Sequence, residues 1–412
     1  MLRSIFHCLL LLLPCSLPAQ EKILDDYLAQ GKKNSPLLYE YANQIKSLSL
    51  DSVRERAIYG FQVAANGNIM YAPVVHGWGY DPTITNGQDL SALMTVSRQI
   101  TGREQLKTRL NSFTLEKKSV QAQAGLSARS LARQITMQYI LCYGDQEQSR
   151  LLEEIFSVLQ QEDDILKALT RSAAVKQTDY LTFKVALQQQ ALAREQANAQ
   201  LLNDLADLNY MCGITDSALY ILAPPDVSFS SPAAFDESIY ALNFQADSLK
   251  IANNTALINL DYKPKVSFFA DGGYQSALPA EAYKNWGVST GINITLPVYD
   301  GKQRKTALLQ NKLAEDNRKK HEDFARQQYE QKKIQLIRQY KEYQQLTNTA
   351  TEQMKYAATL VKANKQQLNA GDVRMADYLL SVNNYLNLRS QLIQYKMWEL
   401  SILNDLNYLI LK

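Results

Sequence analysis

The chain has 412 residues, with 44 Lys and Arg against 41 Asp and Glu, a near-balance that gives no electrostatic case for nucleic acid. Only 16 Gly and 11 Pro punctuate it, while Leu, Gln, Ala and Lys abound, which is the composition of long helices. After residue 19 nothing approaches the roughly eighteen uninterrupted apolar residues of a membrane-spanning helix.

The first nineteen residues read as a secretory signal peptide. Met1-Leu2-Arg3 is basic, Ile5 to Leu13 is apolar, and Ala19 offers a small residue for cleavage before Gln20. Pro14 stands where a small residue normally precedes a lipidated cysteine, which argues against lipid on Cys15. A first unit is expected over residues 20–215. It opens with a helix from Ile23 to about Tyr59, passes through a β region from about Asn68 to Ile100, and ends in long helical segments from Gly102 to Met211. Leu152, Ile155, Leu159, Leu166 and Leu169 keep coiled-coil steps, with only Glu162 out of pattern. Gly102 to Arg171 as one continuous helix would run roughly 100 Å. Cys142 and Cys212 flank a hairpin expected to turn near Ser172-Ala173. Their levels differ by about nine residues, roughly 13 Å along a helix, so free and buried thiols are expected rather than a disulfide.

A Pro/Ser linker follows at 216–236, carrying Ala223-Pro224-Pro225 and the stretch from Ser228 to Pro232. The second unit, 237–412, has a helix from Ser238 to about Leu260, a β region from Lys265 to Tyr299, and long helices from Lys302 onward. Its landmarks repeat those of the first. Asp377-Tyr378-Leu379 lies 198 residues after Asp179-Tyr180-Leu181, and Leu406-Asn407-Tyr408 lies the same distance after Leu208-Asn209-Tyr210. Asp300-Gly301-Lys302 lies 199 residues after Thr101-Gly102-Arg103. One unit of about 200 residues, helix–β-hairpin–long-helix-pair, is written twice, giving a mostly α chain with a small β part.

The strands alternate. Val288, Thr290, Ile292 and Ile294 share one parity, and Ser289, Gly291, Asn293 and Thr295 the other. Ten residues with one apolar face fit a transmembrane β-strand, and equally a soluble hairpin resting on helices. In the first copy Leu93 and Arg98 fall on the wrong face. Four strands cannot close a barrel, and hydrocarbon tolerates no open edge. Two chains would pool eight strands around a filled interior, three would pool twelve around a lumen.

No reactive constellation accompanies this pattern. His76 and His321 lie far apart without clustered carboxylates or cysteines, and no phosphate-binding loop is present. No enzyme activity, cofactor or metal is expected. The run Lys302, Arg304, Lys305, Lys312, Arg318, Lys319 and Lys320 fits a solvated helix face, or contact with lipid head groups.

The signal peptide, the tandem units and the stretch Ile294-Thr295-Leu296-Pro297-Val298-Tyr299-Asp300-Gly301 together resemble the TolC-like outer-membrane efflux proteins over nearly all of the mature chain. That stretch is similar to the family's strand-ending "l-P-l-f/y-d-G-G", with Lys302 in place of the second Gly. The first copy keeps Gly102 and has no Pro. Gly371 to Leu379, GDVRMADYL, is similar to the family's "G-x-x-x-x-x-D-v/y-L" past a hairpin tip, and Ala173 to Leu181 is a degenerate version.

The resemblance implies a homotrimer in the outer membrane of a Gram-negative bacterium, extending into the periplasm. A twelve-stranded β-barrel would continue into a long α-helical coiled-coil barrel. It implies a passive exit duct of a tripartite efflux or type I secretion system. The partners would be outer-membrane lipid, a periplasmic adaptor (membrane fusion protein) and an inner-membrane transporter. The implied periplasmic gate holds Asp377 and Arg374 with Tyr378, and Asp179 and Tyr180 in the first copy. Gly371 would make the helix-tip turn, and the family's second Asp is Leu380 here. Pro297, Tyr299, Asp300 and Gly301, with Gly102 in the first copy, would form the strand-to-helix joint. Pro297 lacks an N–H to pair, Asp300-Gly301 would bend the chain, and Lys302 would begin the helix. The alternative is a secreted or periplasmic coiled-coil scaffold without channel activity.

Overall fold

The computed structural model describes residues 22–100, 102–173, 175–215, 220–229, 234–277, 283–370 and 372–410. The expected signal peptide, Thr101, Gly371 and parts of the 216–236 linker lie outside the described residues. The elements run in the order α1 (Leu24–Asn34), α2 (Pro36–Ile58), β1 (Gln62–Tyr71), α3 (Pro82–Thr85), β2 (Gln88–Ile100), α4 (Arg103–Arg171) and α5 (Gln177–Cys212). Then come α6 (Ile239–Asp261), β3 (Lys265–Ser276), β4 (Trp286–Thr295), α7 (Gln303–Ala370) and α8 (Met375–Ile410).

Two expected boundaries shift. The single helix expected from Ile23 to Tyr59 is two, because Pro36 has no N–H to continue α1 and leaves Ser35 extended. The first β region begins at Gln62 rather than Asn68. Its opening residues, Val63-Ala64-Ala65-Asn66-Gly67, are too small to show an apolar alternation.

The chain divides into two compact units, each drawing on both halves of the sequence. One takes the chain up to Pro36, Ala128–Pro232 and Gln331–Leu411, the other Leu37–Ser127 and Ala233–Glu330. The helices α4 and α7 contribute to both.

The first unit is helical. One of its cores joins Leu151, Leu159, Leu166, Phe183 and Leu187 to Met375, Tyr378, Leu379, Val382 and Leu386, so the α4–α5 hairpin packs against α8. Of the expected coiled-coil stripe, Leu159 and Leu166 lie in this core with Ile155 packed against it, and Leu152 is also buried, whereas Leu169 is exposed. A second core gathers Tyr27, Ile135, Tyr139, Cys142, Leu205, Leu208, Cys212 and Leu222. Here Gly31 of α1 meets Ile135 so closely that a Cβ would overlap the isoleucine side chain. Asn34 donates to the carbonyls of Cys212 and Gly213 at 2.9 and 3.2 Å, satisfying acceptors that the end of α5 leaves open. Gly213, at φ +64, completes that C-cap. The Tyr139 hydroxyl donates to the carbonyls of Lys22 and Ala223, and Gln146 bonds Leu222 through both its amide atoms. That pins the segment after α5 across α4. Both cysteines are free and buried, as expected, and both belong to this one cluster. Burial pushes the Cys142 thiol up to about 12 and the Cys212 thiol up to about 11, which leaves them unreactive when folded.

The second unit holds the sheet, ordered β1-β2-β3-β4 with every pair antiparallel. Beside it, α6 begins at Ser238, whose hydroxyl accepts from the Ala241 N–H. A polar seam ties α6 to the long helices through Asn253 with Asn111 and Asn254 with Asn311, both at 3.0 Å.

One half-buried acid stands out in the first unit. Asp145 of α4 is raised to about 7, first by burial and then by the Asp204 carboxyl of α5 beside it. Asp204 is itself buried and accepts from Gln200 at 2.6 Å. A carboxyl ionised near pH 4 when unfolded but neutral to about pH 7 when folded costs stability as pH rises through that window. Thermal midpoints should therefore fall between pH 4 and pH 7 more steeply in the wild type than in Asp145→Asn. Identical pH profiles would refute the assignment.

Candidate functional site

The sheet has two chemically opposite faces. Register places Val63 beside Val96, Ala65 beside Met94 and Ile69 beside Leu90. The same face carries Val266, Phe268 and Ala270 of β3, with Ile294, Ile292 and Val288 on β4. This apolar face is uncovered: Ile69 is 83 % exposed, Val288 86 % and Ile292 63 %. Tyr71, Tyr274 and Trp286 lie along its far end, with Tyr274 and Trp286 packed edge to face. The opposite face is polar. Asn66 bonds Thr95 at 3.1 Å and Asn68 bonds Asp89 at 3.0 Å, and a cleft of about 580 Å³ is lined by Gln62, Thr95, Ser97, Asp271, Asn293 and Thr295. Phe269 is the aromatic on that side, and its ring lies over Gly291, its cross-strand partner, where a Cβ would collide. Leu93 indeed falls on the polar face and Arg98 on the apolar one. Arg98 sits at the helix-side end, its guanidinium 5.0 Å from the Phe61 ring centre.

The strand-to-helix joint follows β4. Leu296, Pro297, Val298 and Tyr299 are irregular, and Val298 and Tyr299 project into solvent. Gly301 and Lys302 both take left-handed φ, +63 and +71. Lys302 therefore cannot begin the helix as expected, and α7 starts at Gln303. The turn is locked by Asp300, whose carboxylate accepts from the N–H of Lys302 at 2.9 Å and of Arg304 at 2.7 Å. Those bonds, first from Arg304 and then from the Tyr262 hydroxyl, hold the Asp300 carboxyl below its usual range. Arg304 reaches back to Asn259 at 2.8 Å, so the joint leans on the end of α6. In the first copy Gly102 accepts from the Leu106 N–H at 3.2 Å.

The hairpin tips are the second functional region. The first turns where expected: α4 ends at Arg171, Ala173 takes φ +59, and the Val175 N–H closes onto Leu169 O. At the second tip the Asp372 N–H bonds Gln367 O, and α8 begins at Met375. Arg374 grips Asp377 with two bonds, 2.9 and 3.2 Å, which hold the Asp377 carboxyl below its usual range. Both side chains are substantially exposed. Asp179 is half-buried, and Tyr180 is half-buried against the hairpin core. Tyr378 is different. It is 2 % exposed, and its hydroxyl bonds Glu162 of α4 at 2.9 Å to either carboxylate oxygen. Glu162 also meets Lys365 of α7 at 2.7 Å, with its own side chain 12 % exposed. Burial, and then the Glu162 charge, raise the Tyr378 phenol. Three helices thus converge on one carboxylate.

No family model matches the sequence, and no curated protein does. Solved structures do. The outer membrane protein VceC from Vibrio cholerae superposes at TM-score 0.76 and 13 % identity, covering 94 % of this chain and 95 % of its own. The CmeC outer membrane channel of Campylobacter jejuni matches at 0.71 and 14 %, covering 94 % of this chain and 85 % of its own. The Neisseria gonorrhoeae MtrE outer membrane channel, in its open state, matches at 0.70 and 13 %, covering 94 % and 88 %. The fold is that of the outer-membrane channels.

Within the outer-membrane channel fold, the expected site residues fall into two groups. Pro297, Tyr299, Asp300 and Gly301 come together as the β4–α7 joint, with Gly102 entering α4 from β2. Asp377 and Arg374 pair at one tip, while Tyr378 belongs to the core beneath it. Glu162 was the residue that sequence reasoning left without a role. Its signal was present, as the one polar interruption of the coiled-coil stripe. Among the described residues, no group of three His, Cys, Asp or Glu could hold a metal ion.

The joint generates a test. A side chain at left-handed φ costs roughly 1–2 kcal/mol, which glycine avoids. Lys302→Gly should raise the thermal midpoint and Gly301→Ala should lower it, each by the equivalent of about 1 kcal/mol. Opposite signs would show that the turn relaxes in solution.

Proposed function

We propose that this chain is one subunit of a homotrimeric, TolC-like outer-membrane channel, a passive exit duct rather than a catalyst. The observation that carries the reading is the sheet. It exposes a continuous apolar face, keeps a polar face opposite, and among the described residues pairs β1 and β4 on one side only. Water penalises the apolar face, and hydrocarbon penalises an open edge. Both penalties vanish if copies join β4 to β1 of the next chain within a bilayer. Three copies pool twelve strands, and the polar faces then line a water-filled lumen. The joint carries each chain from that barrel into helices of 69 and 68 residues, which would form the periplasmic coiled-coil barrel. As a duct of a tripartite efflux or type I secretion system, it would meet a periplasmic adaptor and an inner-membrane transporter at its helical end.

The tandem repeat of residues 20–215 and 237–412 supports the trimer in detail. Within the chain, Gln148 of α4 bonds Ser390 of α8 at 3.0 Å. Shifting each by the 198-residue repeat gives Leu346 of α7 and Leu192 of α5, both apolar and exposed. A ring of copies would pack α7 of one on α5 of the next as α4 packs on α8. Leu192→Cys with Leu346→Cys, oxidised in the assembled protein, should yield disulfide-linked trimers on an unreduced denaturing gel. Monomers alone would remove this interface. Recovery of the wild type as a soluble monomer without detergent would favour the coiled-coil scaffold instead.

The gate reading centres on the second tip. Three copies would bring three Asp377 carboxylates around one axis, each neutralised by its own Arg374. Beneath them Tyr378 and Glu162 tie α8 to α4. Planar-bilayer conductance of the wild type should be small. Asp377→Ala should raise it or reduce cation preference, and Tyr378→Phe should raise it severalfold by freeing α8. Conductance and selectivity unchanged in both variants would remove this tip from the gate.

A further inference from the structure

The helix-side ends of all four strands are flanked by cations. Arg56 closes α2 before β1, and Arg98 lies near the end of β2, with Arg103 opening α4. Lys263 precedes β3, and Lys302 and Lys305 follow β4. Register makes these ends neighbours. Gln62 pairs with Ser97, Ile100 with Val266, and Lys265 with Thr295, so the cations fall along one margin of the sheet. All six are exposed. Of the acids nearby, Asp261 pairs with Arg109 at 2.9 Å, Asp300 caps the N-terminus of α7 and Glu55 bonds Tyr59, so that Glu104 beside Arg103 is set against six cations. The loop-side ends lack this bias. Among their described residues they carry Asp81, Asp89 and a single cation, Lys284.

We propose that this collar binds the phosphate groups of anionic phospholipids and so fixes the depth at which the sheet sits in the bilayer. The proposal rests on the reading that the apolar face is membrane-embedded. Given that, geometry does the rest. The apolar face ends at Val63, Ile100, Val266 and Ile294, and the cations begin within a few residues of that line. An ammonium or guanidinium at a bilayer margin meets lipid phosphates and is attracted to negative surface charge. Arg98 fits this placement and is no longer an error of patterning. It lies on the apolar face at its margin, with its stem along the sheet and its head beside Phe61.

The test reconstitutes the full chain in vesicles of phosphatidylcholine with and without phosphatidylglycerol. Co-flotation reports insertion, and mass spectrometry of the protein with its retained lipid reports the lipid ratio. The wild type should retain phosphatidylglycerol at several times its bulk ratio, and high salt should erase that excess. A variant carrying Arg56→Gln, Arg103→Gln, Lys263→Gln and Lys305→Gln should insert and form trimers yet retain lipid near the bulk ratio. Insertion of the wild type at the bulk ratio, or an excess indifferent to salt, overturns the collar and leaves the channel reading intact. Failure of the wild type to co-float overturns the channel reading itself. Inorganic phosphate provides the last arm: an excess that persists in its presence supports a headgroup site, and one that it abolishes identifies a free-anion site and overturns the lipid proposal.

Discussion

A backbone amide without a partner costs several kcal/mol in hydrocarbon, and each end of the four-stranded sheet presents a row of them. Most other features follow from that constraint. A sheet that must be completed by its neighbours needs strands of matched length, and β1 to β4 have 10, 13, 12 and 10 residues. In the proposed trimer it also needs two unlike faces, one to meet lipid and the other water. Finally it needs a rigid way of delivering each strand to the same level in every copy, which is the work of the helices.

The strand-to-helix joint shows how little chemistry that delivery takes. An extended strand and an α-helix demand different φ and ψ, and a helix start exposes unpaired N–H groups. Past Thr295, where pairing ends, the chain runs through Pro297, turns through two left-handed positions, and hands the free N–H groups to the Asp300 carboxylate. Tyr262 and Arg304 then hold the corner against α6. The Lys302 position illustrates the economy and its cost. A glycine would suit the angle better, and a lysine adds a charge where the sheet leaves its apolar zone.

The architecture was legible because its signals are long. Helices of nearly 70 residues announce themselves by period, and a 198-residue repeat requires only counting. The tips and joint were legible through Gly, Asp and Pro, whose backbone preferences are local. What stayed hidden depended on partners distant in sequence. The start of β1 was missed because Ala, Asn and Gly carry no apolar contrast until a neighbouring strand defines the face. Tyr378 was grouped with Asp377 as a gate residue, although helical geometry turns adjacent positions about 100° apart. It entered the core because Glu162, 216 residues earlier, offered its hydroxyl an acceptor. Asp145 and Asp204 gave no hint of meeting, since ordinary i,i+4 spacing says nothing about which helix lies alongside.

Glu162 has one further consequence. Its position in the second copy of the repeat, 198 residues on, is Leu360. The two hairpins therefore differ at this position, so in the proposed trimer the ring would have two kinds of seam in alternation. One would be closed by a carboxylate shared among three helices, and its strength would vary with ionic strength. The other would be closed by aliphatic side chains that do not respond to salt. A wall built this way has its compliance distributed unevenly around the circumference. Whatever stimulus loosens it, three of the six seams would give first.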